Sequence, residues 1–305
     1  MDFMCEFPDD AACLDYLWRT RCAPDGEHAY CPKCDLERRF RRYHAPDAGK
    51  TRVRQVWTCT SCSHQLSPTA GTIFHKSSTS LHLWFYAIWL ITSTRCGVSA
   101  KQLERELGVT YKTAWRMFNE IRNKLMTQDE GPLSGEVEAD ETWIGGKMRE
   151  SERRRKVALG EMAVQIGPHA KKREVVFAIV ERGGRVVTMH VPSRYGHTLR
   201  KNVVRRVEPG STLYTDDYAG YNGLDYTYSH HRINHSERVY VNGDVHTQTI
   251  EGFFSLVKNG IRGVYHSVSP KWLGSYLNEY AWRYNHRDDP HAMFRLLIER
   301  AANPA

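Results

Sequence analysis

Two Cys-x-x-Cys knuckles, Cys31-Pro-Lys-Cys34 and Cys59-Thr-Ser-Cys62, use four of the eight cysteines and limit the fold more than any other feature of the chain. Each knuckle closes a tight turn, and four thiolates at this spacing suit tetrahedral zinc. The 24 residues 35–58 between them are basic at one end, Glu37-Arg-Arg-Phe-Arg-Arg-Tyr43, and strand-like at the other, Arg52-Val-Arg-Gln-Val-Trp57. That pattern fits the hairpin of a zinc ribbon. The competing uses of paired cysteines are a redox pair and disulfides, and disulfides need an oxidising compartment that nothing else in the chain suggests. His28, His44 and His64 lie nearby as substitute ligands; Cys5, Cys13, Cys22 and Cys96 have no such pairing and read as packed thiols.

Charge narrows the partners. Forty-three Lys and Arg against 35 Asp and Glu leave a formal +8 over 305 residues, a balance that favours an anionic partner such as nucleic acid or an anionic membrane surface. The first ten residues carry acids where a secretory signal needs positive charge and an apolar core. The longest apolar run, residues 81–92, is short of the about 20 residues that span a bilayer and reads as a buried helix. A soluble, cytoplasmic, nucleoid-associated protein with no membrane partner is expected.

A helical section follows the cysteines. Ser99-Ala-Lys-Gln102 is a capping box, and the helix that it opens, with Leu103 and Leu107 inward, stops at Gly108, a natural left-handed cap. A second helix over 111–124 buries Ala114, Met117, Phe118 and Ile121 and turns Lys112, Arg116, Asn119 and Asn123 outward. Helix, glycine turn, then a helix with a basic, amide-rich face is the pattern of a helix-turn-helix, whose second helix enters a DNA major groove. A three-helix bundle with an ordinary solvated face has the same signature. Gly131-Pro132 marks the boundary, giving three expected regions: 1–75 with the ribbon, 76–131 with the helix-turn-helix, and 132–305.

The last region carries the acids. Asp140 closes the extended run that starts at Gly135, and Asp216 closes the run Ser211-Thr-Leu-Tyr-Thr-Asp216. Glu251 opens a helical stripe of Ile250, Phe253 and Val257, and Lys258 lies two turns further on the same face, with Ser255 between. Two strand-end aspartates and a helical glutamate can share a pair of divalent cations, the usual device for phosphodiester chemistry. Hard oxygen ligands select Mg²⁺ or Mn²⁺, whereas the thiolates select zinc. Glu138, Glu141 and Asp217 adjoin the candidate ligands, and a one-residue slip in strand register would exchange which carboxylate points inward. Three strands with a hairpin at Gly183-Gly184, then alternating helix and strand, give an α/β region in the order of the ribonuclease H-like fold. Residues 148–172, with the basic cluster Arg153-Arg-Arg-Lys156, have no clear period and read as an insertion.

Several motifs together resemble the zinc-ribbon DDE transposases of bacterial insertion sequences, the ISXO-like group. They are Val137-Glu-Ala-Asp140-Glu-Thr-Trp-Ile-Gly-Gly-Lys147, Leu213-Tyr-Thr-Asp216-Asp-Tyr-Ala-Gly-Tyr221, Asn234-His-Ser236, and Val245-His-Thr-Gln-Thr-Ile-Glu251-Gly-Phe-Phe-Ser-Leu-Val-Lys258-Asn-Gly260. The tail Tyr276-Leu-Asn-Glu-Tyr-Ala-Trp-Arg-Tyr-Asn285 is similar as well. The resemblance implies a ribonuclease H-like core with Asp140, Asp216 and Glu251 as the metal-binding triad and Lys258 as the basic residue that follows the glutamate. It also implies a transposase that binds the terminal inverted repeats of its element, cleaves the ends and joins the 3′-hydroxyls to target DNA, as a dimer or higher assembly. The chain has Gln248 where such proteins often have Asn; members of the group also differ in the third catalytic residue, and where an amide serves there Gln248 is the competitor of Glu251.

Overall fold

A computed structural model describes residues 2–45, 54–128, 131–145, 154–155, 157–158, 173–233, 247–289 and 292–303. Most of the 148–172 insertion, the Asn234-His-Ser236 motif and the start of the Val245 motif lie outside the described residues. The chain forms two compact units, Met1–Thr127 with Asp288–Ala305, and Gln128–Arg287.

In the first unit, helices α1 (Phe3–Glu6) and α2 (Asp10–Arg21) precede an antiparallel sheet in the order β1-β2-β3-β4, formed by His28–Cys31, Leu36–Ala45, Arg54–Cys59 and Gln65–Leu66. The sheet is small. It buries Ala29, Phe40 and Trp57, and Trp18 of α2 stacks on Trp57 with centroids 4.6 Å apart. Helix α3 (Leu81–Ser93) starts where the Ser80 hydroxyl accepts the Leu83 amide, and it buries Trp84, Phe85, Ala87, Ile88 and Ile91. Helix α4 (Ala100–Leu107) begins with Ser99 accepting the Gln102 amide at 3.1 Å and ends at Gly108, whose φ of 62° needs no Cβ to be avoided. Thr110 caps helix α5 (Tyr111–Glu120), which widens into a π-helical turn over Ile121–Leu125. The last helix, α9 (Ala292–Ala302), belongs to this unit: Phe294 meets Phe7 and Phe85, and Arg300 donates to the Leu125 carbonyl at 3.0 Å.

The second unit is a five-stranded mixed sheet in the order β7-β6-β5-β8-β9. Strands β5 (Glu136–Ile144), β6 (Glu174–Glu181) and β7 (Val186–Val191) form an antiparallel meander, after which α6 (Gly196–Arg206) crosses over to β8 (Thr212–Asp216). β8 runs parallel to β5, and β9 (Ser229–Ile233) runs parallel to β8. Alternation divides the strand residues between two cores. Val137, Ala139, Phe177 and Leu213 pack with Leu199 and Val203 of α6. Ile144, Val176, Ala178 and Val180 pack with Ile250, Phe253 and Val257 of α7 (Gln248–Gly260) and with Leu277 and Tyr280 of α8 (Leu273–Asn285). Among the described residues, no helix is long and apolar enough to cross a membrane.

Gly260 lets α7 approach α8 closely, because a Cβ there would run into the buried Tyr280 side chain. Gly260→Ala is therefore expected to destabilise the protein by about 1–3 kcal/mol, the usual cost of overpacking. Thermal melting checks this, and Gly252→Ala, which meets no atom within 4 Å, is the control.

Candidate active site

The pairing of β5 with β8 brings two acids to one level of the sheet. Glu136 faces Thr212, Val137 faces Leu213 and Glu138 faces Tyr214, and the same register carried two residues further sets Asp140 beside Asp216. Side chains on one rung of a parallel pair leave the same face. That face is the one covered by α7, and Glu251 stands in the first turn of that helix. Asp140 responds to this company: burial first, then the charge of Glu141, then those of Asp216 and Glu251, raise its pKa to about 7. Its own Oδ1 accepts the Glu141 amide at 2.7 Å, which opposes the rise without cancelling it. The neighbouring Asp217 is exposed. Asp216 is half-buried and accepts the Tyr218 amide at 3.2 Å.

Glu251 is exposed, with the Thr247 hydroxyl at 3.5 Å from its Oε1. Lys258 lies on the same helix seven residues on, so about 10 Å along the axis and on the same face, with its ammonium 5.9 Å from the Phe254 ring centre. Gln248, the first residue of the helix, is exposed.

The flanking glutamates of β5 point to opposite faces. Glu141 is directed away from α7; its Oε2 accepts the Tyr221 hydroxyl at 2.6 Å and Arg194 stands 3.4 Å from its Oε1. Burial raises the Glu141 pKa and Asp216 raises it further, while Tyr221 and Arg194 pull it down. Glu138 shares the Asp140 face and is fully buried. Its carboxylate accepts the Ile250 amide and the Thr249 hydroxyl at 3.0 Å each, and pairs with Arg182 Nε at 2.9 Å. The partners of Glu138 on α7 lie more than a hundred residues away and leave no local signal in the sequence.

In the first unit, Cys31, Cys34, Cys59 and Cys62 bring their sulfurs within 4.8 Å of one another, and among the described residues theirs is the one group of three or more metal-binding side chains that closes so far. The Cys31–Cys62 and Cys34–Cys59 sulfurs are 3.5 and 4.0 Å apart. Zinc–sulfur bonds of about 2.3 Å imply tetrahedral edges of about 3.8 Å, so the cluster fits one zinc. The knuckles have the same form: the amide of the residue after each second cysteine, Asp35 or Ser63, donates to the first cysteine's carbonyl, and both residues have φ near 60°. His28 instead pairs with Asp25 at 2.7 Å.

On α5, Lys112 and Arg116 are exposed and Asn119 is half-buried; Asn123, in the π-helical turn, is exposed. Arg116 donates to the Ser77 and Thr79 hydroxyls, both at 3.3 Å, and Asn119 donates to the Trp115 carbonyl at 3.0 Å.

Residues 132–285, about half of the chain, match the ISXO2-like transposase domain. The chain belongs to that family. The matched span contains Asp140, Asp216, Glu251 and Lys258, and the thiol cluster lies outside it. The transposase is also 29% identical over 258 residues to an uncharacterized protein in the transposable element ISH50 of Halobacterium salinarum, covering 83% of this chain and 84% of that one. An uncharacterized transposase-like protein of Haemophilus influenzae is 31% identical over 110 residues, which are 34% of this chain and 84% of that protein. A transposase is in general an enzyme that cuts and joins DNA, and the matched span gathers its carboxylates on β5 and β8, in the interior of the mixed sheet, and on α7 over them.

Proposed function

We propose that this transposase binds the terminal inverted repeats of its insertion sequence, cleaves the ends and joins the freed 3′-hydroxyls to target DNA. On this reading the five-stranded unit is a ribonuclease H-like core, and Asp140, Asp216 and Glu251 hold Mg²⁺ or Mn²⁺. The observation that carries it is geometric: Asp140 and Asp216 come from neighbouring parallel strands and Glu251 from the first turn of the helix that covers that face, a crowding of carboxylates that a divalent cation relieves. The bound ions supply charge neutralisation and nucleophile activation at phosphorus. The chain's own groups do the rest. Asp140 and Asp216 present anionic oxygens from one rung, Lys258 offers a point charge to a phosphate, and Arg194 and Tyr221 hold Glu141 off the Asp140 face.

The first unit binds the ends in this proposal. Cys31, Cys34, Cys59 and Cys62 hold a structural zinc, and α4 with α5 form a helix-turn-helix whose Lys112, Arg116, Asn119 and Asn123 face double-stranded DNA. Arg116 then exchanges its bonds to Ser77 and Thr79 for DNA contacts. Synapsis of two ends calls for a homodimer or larger assembly, working at the nucleoid in the cytoplasm.

The deciding experiment incubates purified protein with a labelled element end and an unrelated plasmid in Mg²⁺. Cleavage followed by joining is expected. Binding without nicking would make the protein a regulator, and nicking without joining would make it a nuclease; either outcome overturns the proposal. Lys112→Ala and Asn123→Ala are each expected to weaken end binding about tenfold, equivalent to about 1.4 kcal/mol. In a gel-shift series, Lys112→Ala should also lower the salt dependence, as loss of a phosphate contact does. Unchanged binding in both variants would remove α5 from the DNA interface.

A further inference from the structure

We infer that Glu138 is a positioning residue that locks the helix bearing Glu251 onto the strand bearing Asp140, an inference that rests on reading those acids as the metal site. A helix leaves its first N–H groups without intrahelical partners, and a side chain at the N-cap usually serves one of them. Helix α7 lacks that device: its N-cap residue, Thr247, makes no side-chain capping bond. Glu138 serves instead, from a strand far away in the chain. One of its oxygens accepts the Ile250 amide and the other accepts the Thr249 hydroxyl, each at 3.0 Å. A carboxylate at this end of the helix also meets the positive pole of the helix dipole.

The grip is close to both candidate ligands. Ile250 immediately precedes Glu251, and Glu138 lies two residues before Asp140 on the same face of β5. Fixing the Ile250 amide therefore fixes where the Glu251 side chain leaves the helix, relative to the rung shared by Asp140 and Asp216. The clamp is itself held. Arg182 pairs with Glu138 at 2.9 Å and with Glu136 at 2.9 Å, and its guanidinium lies 3.9 Å from the Tyr214 ring centre. A fully buried carboxylate is a costly way to attach a helix to a sheet that already packs Ile250, Phe253 and Val257 against it. What the carboxylate adds to that apolar packing is direction, because two hydrogen bonds at the helix start set both its height and its rotation on the strand. Outer groups of this kind tune how tightly a metal is held.

The test uses the full chain and counts bound Mn²⁺ by loss of the free-ion EPR signal, beside the Mg²⁺ dependence of end cleavage and thermal melting. Glu138→Gln keeps the shape, removes the charge and is expected to weaken Mn²⁺ binding about tenfold. Its Mg²⁺ requirement should rise in parallel, with cleavage returning towards the parent rate at saturating Mg²⁺. Thr249→Val removes one hydrogen bond, leaves the buried ion pair intact and should shift both readouts in the same direction by about threefold. If Glu138→Gln does not fold, Thr249→Val decides. Folded variants with parental Mn²⁺ affinity and Mg²⁺ dependence, beside an inactive Glu251→Gln, overturn the role of Glu138 alone. A Glu251→Gln protein that binds Mn²⁺ and cleaves like the parent overturns the site reading, and this inference with it.

Discussion

Asp140→Asn is expected to abolish end cleavage while making the metal-free protein more stable at neutral and alkaline pH. The two effects have one cause. Burial and the charges of Glu141, Asp216 and Glu251 raise the Asp140 pKa from 3.8 to about 7. In the unfolded chain the group ionises near its ordinary value, so between about pH 4 and pH 7 the unfolded state releases a proton that the folded state keeps. As far as this group is concerned, stability is fully present below pH 4, falls as pH rises through that window and is level above it. At about 1.4 kcal/mol for each tenfold change in proton affinity, the ceiling is about 4 kcal/mol, and the carboxylate's partial exposure to water lowers it. Asparagine keeps the shape and discards the charge, so the variant escapes this loss.

Divalent cations should act the other way. Mg²⁺ is expected to raise the melting temperature of the parent more at pH 8 than at pH 5, where protons occupy Asp140, and to leave Asp140→Asn unmoved. Cleavage should fall by orders of magnitude in Asp140→Asn and in Asp216→Asn, because a two-metal site has lost a ligand. Asp217→Asn should stay within a few-fold of the parent, since Asp217 is exposed and follows the last residue of β8. Melting curves at the two pH values with and without Mg²⁺, and cleavage of a labelled end with gel-shift controls, separate these outcomes. An Asp140→Asn protein that cuts at the parental rate would sink the metal-site reading. An inactive Asp217→Asn beside an active Asp216→Asn would shift the site by one residue.

How far this site could be read from sequence depends on how local each contact is. The helix ends were legible because their chemistry is adjacent: Ser99 caps within three residues, and Gly108 takes the left-handed turn itself. The strands that carry the two aspartates were legible from alternation, but only Asp216 ends its strand; Asp140, expected to close an extended run, lies in the middle of β5, which continues to Ile144. That the two strands pair in parallel, in the register that sets one aspartate beside the other, was not legible, because the pairing spans a crossover through α6. Tyr221 and Arg194 at Glu141, and Thr249 at Glu138, are long-range partners of the same kind. Helix α9 buries Met293, Phe294, Leu297 and Ile298, a face that the sequence reading did not anticipate, and such a pattern would state only that a face is buried. Its placement against Phe7 and Phe85, in the unit at the other end of the sequence, emerges from the folded chain.

Replacing both Cys31 and Cys34 with Ser is expected to release about one zinc per chain and to unfold the small sheet of the first unit. Among the described residues, Ala29, Phe40 and Trp57 are the buried apolar residues of that sheet beside the cysteines, and Trp18 of α2 packs on Phe40 and Trp57. So little apolar material cannot offset the ordering of four strands. Zinc binding in comparable cysteine-rich peptides is worth about 10–16 kcal/mol, as much as the whole net stability of an ordinary domain. The Trp18–Trp57 stack, 10° from parallel, gives a direct reporter through its near-ultraviolet circular dichroism. That signal should disappear in the double variant and on strong chelation of the parent, and return when zinc is added back to the parent only. Cys96→Ser, at an exposed cysteine outside the cluster, should keep both the zinc and the signal. End binding should fail with the sheet, while the Mg²⁺-dependent stability of the Gln128–Arg287 unit persists. A double variant that retains one zinc and an intact tryptophan signal, or a parent that folds and binds DNA with no zinc, would refute the structural role of the metal.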